Sequence, residues 1–309
     1  MRAVACTLLV LAAMGGCARA RTNDTYLVAL EAPFWRAVSE AYPDLESDMS
    51  ALVFADGRRL NIAHIDSEQP LDALHAWLAR ARPAGVVLTP LLSLQADEVA
   101  AAHPGLPIVV LTWSGAAAAG STAPAGGPNV TSVWFSRSDA LTRAGALLAA
   151  YIAGQPEGRV GILATGGRVE GAHVAAFRRG VTSAGAAARL TERRIDRSAD
   201  SGSLKRSLDA LQRSDVRVVF LEVGPLTGAA LEALARDGTF AMVRNWGYRA
   251  GFEETVLVSV NDPPLAALRA GIAAAPGSTV EVASEVVWGP GAPLPDGSNG
   301  LVDAVSTAP

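Results

Sequence analysis

The chain predicts an α/β protein built from two doubly wound parallel-sheet lobes joined by a hinge. Three observations carry that expectation. Short apolar, β-branched runs alternate with stretches of helical periodicity, the rhythm of a parallel sheet with helices on both faces. The alternation comes as two series of similar size. A break rich in glycine, alanine, serine and proline, Gly115 to Pro128, separates them and marks a crossover between lobes.

In the first series, Tyr26 to Leu30 predicts a buried strand, and a helix opens near Pro33. Arg59 to Ile65 predicts a second strand, and Leu71, Leu74, Trp77 and Leu78 share one face of a helix. Gly85 to Leu88 and Ile108 to Thr112 are further short strands. The second series opens with a strand at Val130 to Phe135, then a helix whose apolar face runs from Leu141 to Ile152. Strands follow at Arg159 to Ala164, Val216 to Leu221, Phe240 to Arg244 and Thr255 to Val260. Helices are expected through Phe177, over Leu204, Leu208 and Leu211, around Leu231, and from Leu265 to Ile272. Val280 to Trp288 predicts one final strand, and the tail from Gly289 is weakly specified.

The first seventeen residues read differently. Arg2 precedes an apolar run from Ala3 to Ala13, and Met14-Gly15-Gly16 leads into Cys17. Charge, apolar core and small residues in that order form a secretory signal. A cysteine directly after the small residues is similar to the lipobox of bacterial lipoproteins. Residues 1–16 are therefore expected to be a signal peptide, Cys17 an acylated N-terminus, and 17–24 a tether. That places the chain on a cell membrane, lipid-anchored and extracytoplasmic. The cysteines are Cys6 and Cys17. Cleavage leaves only the second, so neither a disulfide framework nor a thiolate metal site is expected.

The remaining composition narrows function further. The 309 residues suit two domains, and 50% apolar content builds sizeable cores. The net charge of -4 gives no reason to expect a nucleic-acid partner. The basic residues are arginines apart from Lys205.

The segments Asn129-Val130-Thr131-Ser132-Val133-Trp134-Phe135, Ala144 to Ala150, Gly158 to Leu163 with Gly166-Gly167, Phe177 to Val181, and Val218 to Phe220 leading into Gly224 to Gly228 together resemble the basic membrane protein family. Its members are solute-binding lipoproteins of ABC importers, similar to purine-nucleoside receptors. The resemblance implies a type I periplasmic binding protein fold with three hinge strands. It implies a first lobe of 25–128 plus 247–275 and a second of 129–246 plus 276–309. It further implies a nucleoside or a sugar held in an interlobe cleft, and an ABC permease as partner. The chain departs from the family pattern at several points. Trp35 stands where relatives carry asparagine, Asp139 alone keeps the acid of a cluster after Phe135, and Arg244-Asn245-Trp246 replaces aspartates. Two readings stay open: a ligand other than a purine nucleoside, or a site that has lost solute binding and serves as an interaction or sensing lipoprotein.

Candidate ligand-binding residues follow from position. Phe34 and Trp35 fall at a strand-to-helix turn, where an aromatic face can stack on a sugar or base; packing beneath the helix is the alternative. Trp113 and Trp246 end strands and suit either cleft lining or hinge packing. Glu31 and Glu222 follow apolar strands, where a carboxylate can accept hydrogen bonds from sugar hydroxyls or serve as a structural charge. Asn245 both donates and accepts, and Asp139 retains the family acid. Thr165-Gly166-Gly167 lets a backbone approach a ligand but matches no nucleotide-phosphate motif. The four histidines, His64, His75, His103 and His173, lack zinc spacing. Leu111-Thr112-Trp113-Ser114-Gly115 is not a nucleophile elbow. No catalytic residue, metal or cofactor is therefore expected, and the chain reads as a binding protein rather than an enzyme.

Overall fold

The computed structural model describes residues 23–32, 35–36, 39, 42, 44–66, 68–112, 127–155, 157–196, 198–244, 251–289 and 305–307. The first series folds as β1 (Asn23–Glu31), α1 (Leu45–Ala51), β2 (Arg59–Ile65), α2 (Pro70–Ala81), β3 (Pro83–Leu88), a 3-10 turn at Leu92–Gln95, α3 (Ala96–Ala102) and β4 (Ile108–Thr112). Next come β5 (Val130–Ser136), α4 (Ser138–Ala153), β6 (Arg159–Thr165), α5 (Arg168–Ser183) and β7 (Leu190–Ile195). The rest comprises α6 (Ser201–Gln212), β8 (Val216–Glu222), α7 (Thr227–Arg236), β9 (Phe240–Arg244), β10 (Val256–Asn261), α8 (Pro264–Ala273), β11 (Thr279–Ala283), β12 (Glu285–Trp288) and β13 (Val305–Thr307).

These strands make two sheets, ordered β11-β5-β4-β3-β1-β2 and β13-β12-β10-β9-β8-β6-β7. Every pairing is parallel except that of β10 with β12. Each sheet is buried on both faces, which is why its central strands are continuous apolar runs. In the first lobe, one core packs Tyr26, Val28, Val109 and Val133 against Met49 and Leu268, and the other packs Leu27, Val86 and Ile108 against Leu74 and Val99. In the second, Leu141, Leu148 and Phe177 cover Ile162, Phe220 and Val260, while Leu208 and Leu231 cover the opposite face.

The lobes divide differently from the expected boundaries. β5 belongs to the first sheet, beside β4, so the chain is in the same sheet before and after the expected crossover, most of which lies outside the described residues. β10 belongs to the second sheet, whereas α8 and β11 return to the first. The expected single strand over Val280–Trp288 is two strands in different sheets, parted at Ser284. The chain thus changes lobes near Arg137, near Asp262 and at Ser284. Glycine and proline mark turns but do not say between which sheets the chain passes. The real crossovers are set by polar chemistry.

At those crossovers, Arg137 Nε donates to Asp262 Oδ1 at 3.0 Å, and Arg137 Nη2 donates to Oδ2 at 2.5 Å. Ser284 Oγ donates to Asp262 Oδ1 at 2.6 Å, and Ser284 N donates to the Ser136 carbonyl at 3.0 Å. The Arg137 and Asp262 side chains are only 3% and 0% exposed. A buried charge needs a partner and satisfied hydrogen-bonding groups, so this node ties all three passages together. Tyr42 adds a hydrogen bond from its hydroxyl to the Asp262 carbonyl. Burial first, and then the charges of Asp262 and Glu285, push its phenol well above the usual range.

α4 and α5 pack unusually close. A Cβ at Gly180 would lie 1.9 Å from the Thr142 carbonyl oxygen, and one at Gly145 would lie 2.3 Å from that of Phe177. Only glycine fits at either point. The contact sets the first half of α4 against the second half of α5.

Among the described residues, no helix is long and apolar enough to cross a membrane. β7 escapes sequence reasoning because Leu-Thr-Glu-Arg-Arg-Ile is mostly polar; it is an edge strand, and only Ile195 is buried.

Candidate functional site between the lobes

β5 leaves the first sheet at its carboxyl end, and β10 leaves the second sheet at its carboxyl end. The carboxyl ends of both sheets therefore face the hinge and each other. In open α/β sheets this is where ligands bind.

A cavity of about 460 Å³ lies there. The end of β5 supplies Trp134, Phe135 and Ser136, and the start of α4 supplies Arg137 and Ser138. α5 contributes Arg168, His173 and Arg179, with Ala172, Ala175 and Ala176 between them. Both lobes thus form its walls. A hollow of about 580 Å³ between α6 and α7 is larger, but it opens on the outside of the second lobe, away from the strand ends. Position relative to the strands favours the interlobe cavity as the functional one.

At the end of the second sheet stands a charged cluster. Arg244, ending β9, grips Glu222, ending β8, with Nη2 to Oε1 at 2.6 Å and Nε to Oε2 at 2.8 Å. His173 Nδ1 approaches Glu222 Oε2 at 3.4 Å, without hydrogen-bond geometry. Burial pushes the Glu222 carboxyl up, but Arg244 and then His173 outweigh it and hold the group at about 2. Burial weakens the Arg244 charge, yet the hydrogen bonds and charge of Glu222 raise its affinity for the proton. This carboxylate stays ionised and its main hydrogen-bonding capacity is spent inside the protein.

Glu31, at the end of β1, is likewise engaged. One oxygen accepts from the Leu92 backbone N–H and the other from the Thr89 hydroxyl, so it fastens the 3-10 turn after β3. Trp35 is half-buried against the first-lobe core, with its ring edge-on to His64 at 5.5 Å. Asp139 is exposed in the first turn of α4. Phe34, Trp113, Asn245, Trp246 and Cys17 lie outside the described residues.

The structure thus joins Glu222 to Arg244 and His173, and places Glu31 at the carboxyl end of β1 in the other sheet. The sequence reading missed Trp134, Arg168, His173 and Arg179 as cavity lining. The signal available for Arg168 was its place just after Thr165-Gly166-Gly167. The others are spread along β5 and α5, and only the packing of α5 across the hinge gathers them. Among the described residues, no group of three or more His, Cys, Asp or Glu is placed to hold a metal.

No family model matches the chain, and no curated protein matches it by sequence. Solved structures do match in shape. A transcriptional activator of the comK gene from Bacillus halodurans aligns at a TM-score of 0.65 with 15% identity, over 91% of this chain and 95% of that one. An ABC transporter solute-binding protein from Conexibacter woesei DSM 14684 gives 0.62 with 14% identity, over 91% and 93%. Another from Aeropyrum pernix K1 gives 0.57 with 15% identity, over 91% and 87%. The chain has the two-lobed fold of type I periplasmic binding proteins. At these identities the likeness establishes the fold alone.

Proposed function

We propose that the chain is a solute receptor that captures a small polar molecule between its lobes. The observation that carries this reading is the cavity of about 460 Å³ where the carboxyl ends of both sheets meet, with walls from both lobes. Closure about the hinge would bring further contacts onto the solute and exclude water, so the closed state gains affinity that neither lobe has alone. The lipobox-like start supports acylation at Cys17 and an extracytoplasmic, membrane-tethered site. The sequence resemblance to the basic membrane protein family supports delivery to an ABC importer, with a nucleoside or a sugar as the solute class.

A second reading has a specific observation behind it. Transcriptional regulators share the fold as closely as transport receptors do. On that reading the chain senses a solute for a membrane partner and transports nothing.

Thermal unfolding of the full chain, freed of co-purified solute, across nucleosides, sugars and their phosphorylated and carboxylated forms tests solute binding. A ligand at 100 times its Kd adds about 2.7 kcal/mol, which raises Tm by roughly 2–4 °C per kcal/mol. No shift with any compound would remove the receptor reading. Uptake of the identified solute in cells with and without the chain then separates transport from sensing.

A further inference from the structure

We infer that the solute carries an anionic group, a carboxylate or a phosphate on a hydroxylated or ring-bearing body. This rests on the receptor reading of the same cavity and names the chemistry it selects.

The lining holds three arginines and a histidine, and no carboxylate. Each cation has a traceable position. Arg137 is spent on Asp262. Arg179 gives Nη2 to the Ser138 hydroxyl at 2.9 Å and meets no carboxylate among the described residues. Arg168 has neither an ion pair nor a hydrogen bond among them. Glu222, beside His173, is held on both oxygens by Arg244. Two guanidinium charges on one wall thus remain unbalanced.

Arg168 and Arg179 stand at the two ends of that wall, about 16 Å apart along α5, so each can meet an anionic group separately. Arg168, Ala172, Ala175 and Arg179 lie at intervals of four, three and four residues, on one face of α5. The alanines leave room between the arginines, and both side chains reach the same cavity. A guanidinium only donates hydrogen bonds, and its planar fork fits a carboxylate or phosphate. Both arginines are exposed and hydrated in the open cavity, and an anionic solute gains from them a charge-assisted contact that a neutral polyol does not. Half-buried Trp134, on the first-lobe wall, offers an aromatic surface to the rest of the solute.

Calorimetric titration of the detergent-solubilised full chain against acid and neutral pairs tests this: glucuronate with glucose, ribose 5-phosphate with ribose, and adenosine 5′-monophosphate with adenosine. We expect at least one acid to bind roughly tenfold or more tightly than its neutral parent. The carboxylate and phosphate members show which anion is preferred. Replacing both, Arg168→Gln with Arg179→Gln, should erase most of that preference while leaving Tm unchanged, and the single variants show which end of the wall meets the anion. Neutral parents that bind as well as the acids would overturn the anionic assignment and leave the receptor reading standing. An acid preference that survives both substitutions would overturn the role of these arginines. Absence of binding by any member, acid or neutral, would remove both inferences.

Discussion

Replacing Asp262 by alanine should be the most damaging single change in the hinge. Arg137 would keep its charge in a site where its side chain is 3% exposed, with its carboxylate partner gone. Breaking a buried pair in this way costs about 3–5 kcal/mol. The Ser284 hydroxyl loses its acceptor as well, adding about 1 kcal/mol. At roughly 2–4 °C per kcal/mol for a chain of this size, the midpoint should fall by about 8–24 °C. Circular dichroism during heating, with urea unfolding as a check, reads the loss directly. A double variant, Arg137→Met with Asp262→Leu, separates the pair from its surroundings. Apolar replacement of a whole buried ion pair is often neutral or stabilising, so the double variant should regain most of the lost stability. An Asp262→Ala protein melting within about 2 °C of the parent would refute the claim that this node holds the crossovers.

Other consequences are as open to measurement. Gly180→Ala drives a methyl group into the Thr142 carbonyl and should cost about 1–3 kcal/mol in urea unfolding, with the α4–α5 contact prised apart. Glu222 is held at about 2 in the fold against an ordinary value of 4.5, so its contribution is present above pH 4.5 and is lost as pH falls toward 2. The loss should reach up to about 3 kcal/mol, and Glu222→Gln should flatten the stability profile over that window. Burial, then the neighbouring His75, lowers the affinity of His103 for its proton. The neutral ring is favoured by folding, so stability should decline as pH falls below 6.5, and His103→Gln should remove that part of the slope. Arg168 is exposed at the start of α5, so Arg168→Gln should move stability by no more than about 0.5 kcal/mol whatever it does to binding.

Most of the strand and helix placement was legible because β-branched runs and 3.6-residue periodicity are local properties. Arg59–Ile65, Ile108–Thr112 and Phe240–Arg244 form strands over the expected spans. Lobe membership was not local. Val130–Ser136 looks the same whether it pairs with β4 or β6, and the deciding contacts lie far along the chain, with Ile108–Thr112 and Thr279–Ala283. The hinge was hidden for a related reason. Arg137, Asp262 and Ser284 are 125 and 22 residues apart, and nothing in their neighbourhoods announces that they meet. Glu31 and Glu222 were found at strand ends, as expected, but not their partners. Thr89, Leu92 and Arg244 take up their oxygens, which changes what each carboxylate can offer a solute.

The passage from β11 to β12 consists of Ser284 alone. A single residue has no slack: it cannot stretch, and its two backbone torsions are all it can contribute. Relative motion of the lobes must therefore be a swivel, with its axis passing near this residue and its arc limited by the shortest of the three straps. Length is constrained as strictly as chemistry. An inserted or deleted residue there would shift β12 by one position and turn its side chains to the opposite face. Evolution can lengthen many surface loops of this protein cheaply, but this strap admits no spare link.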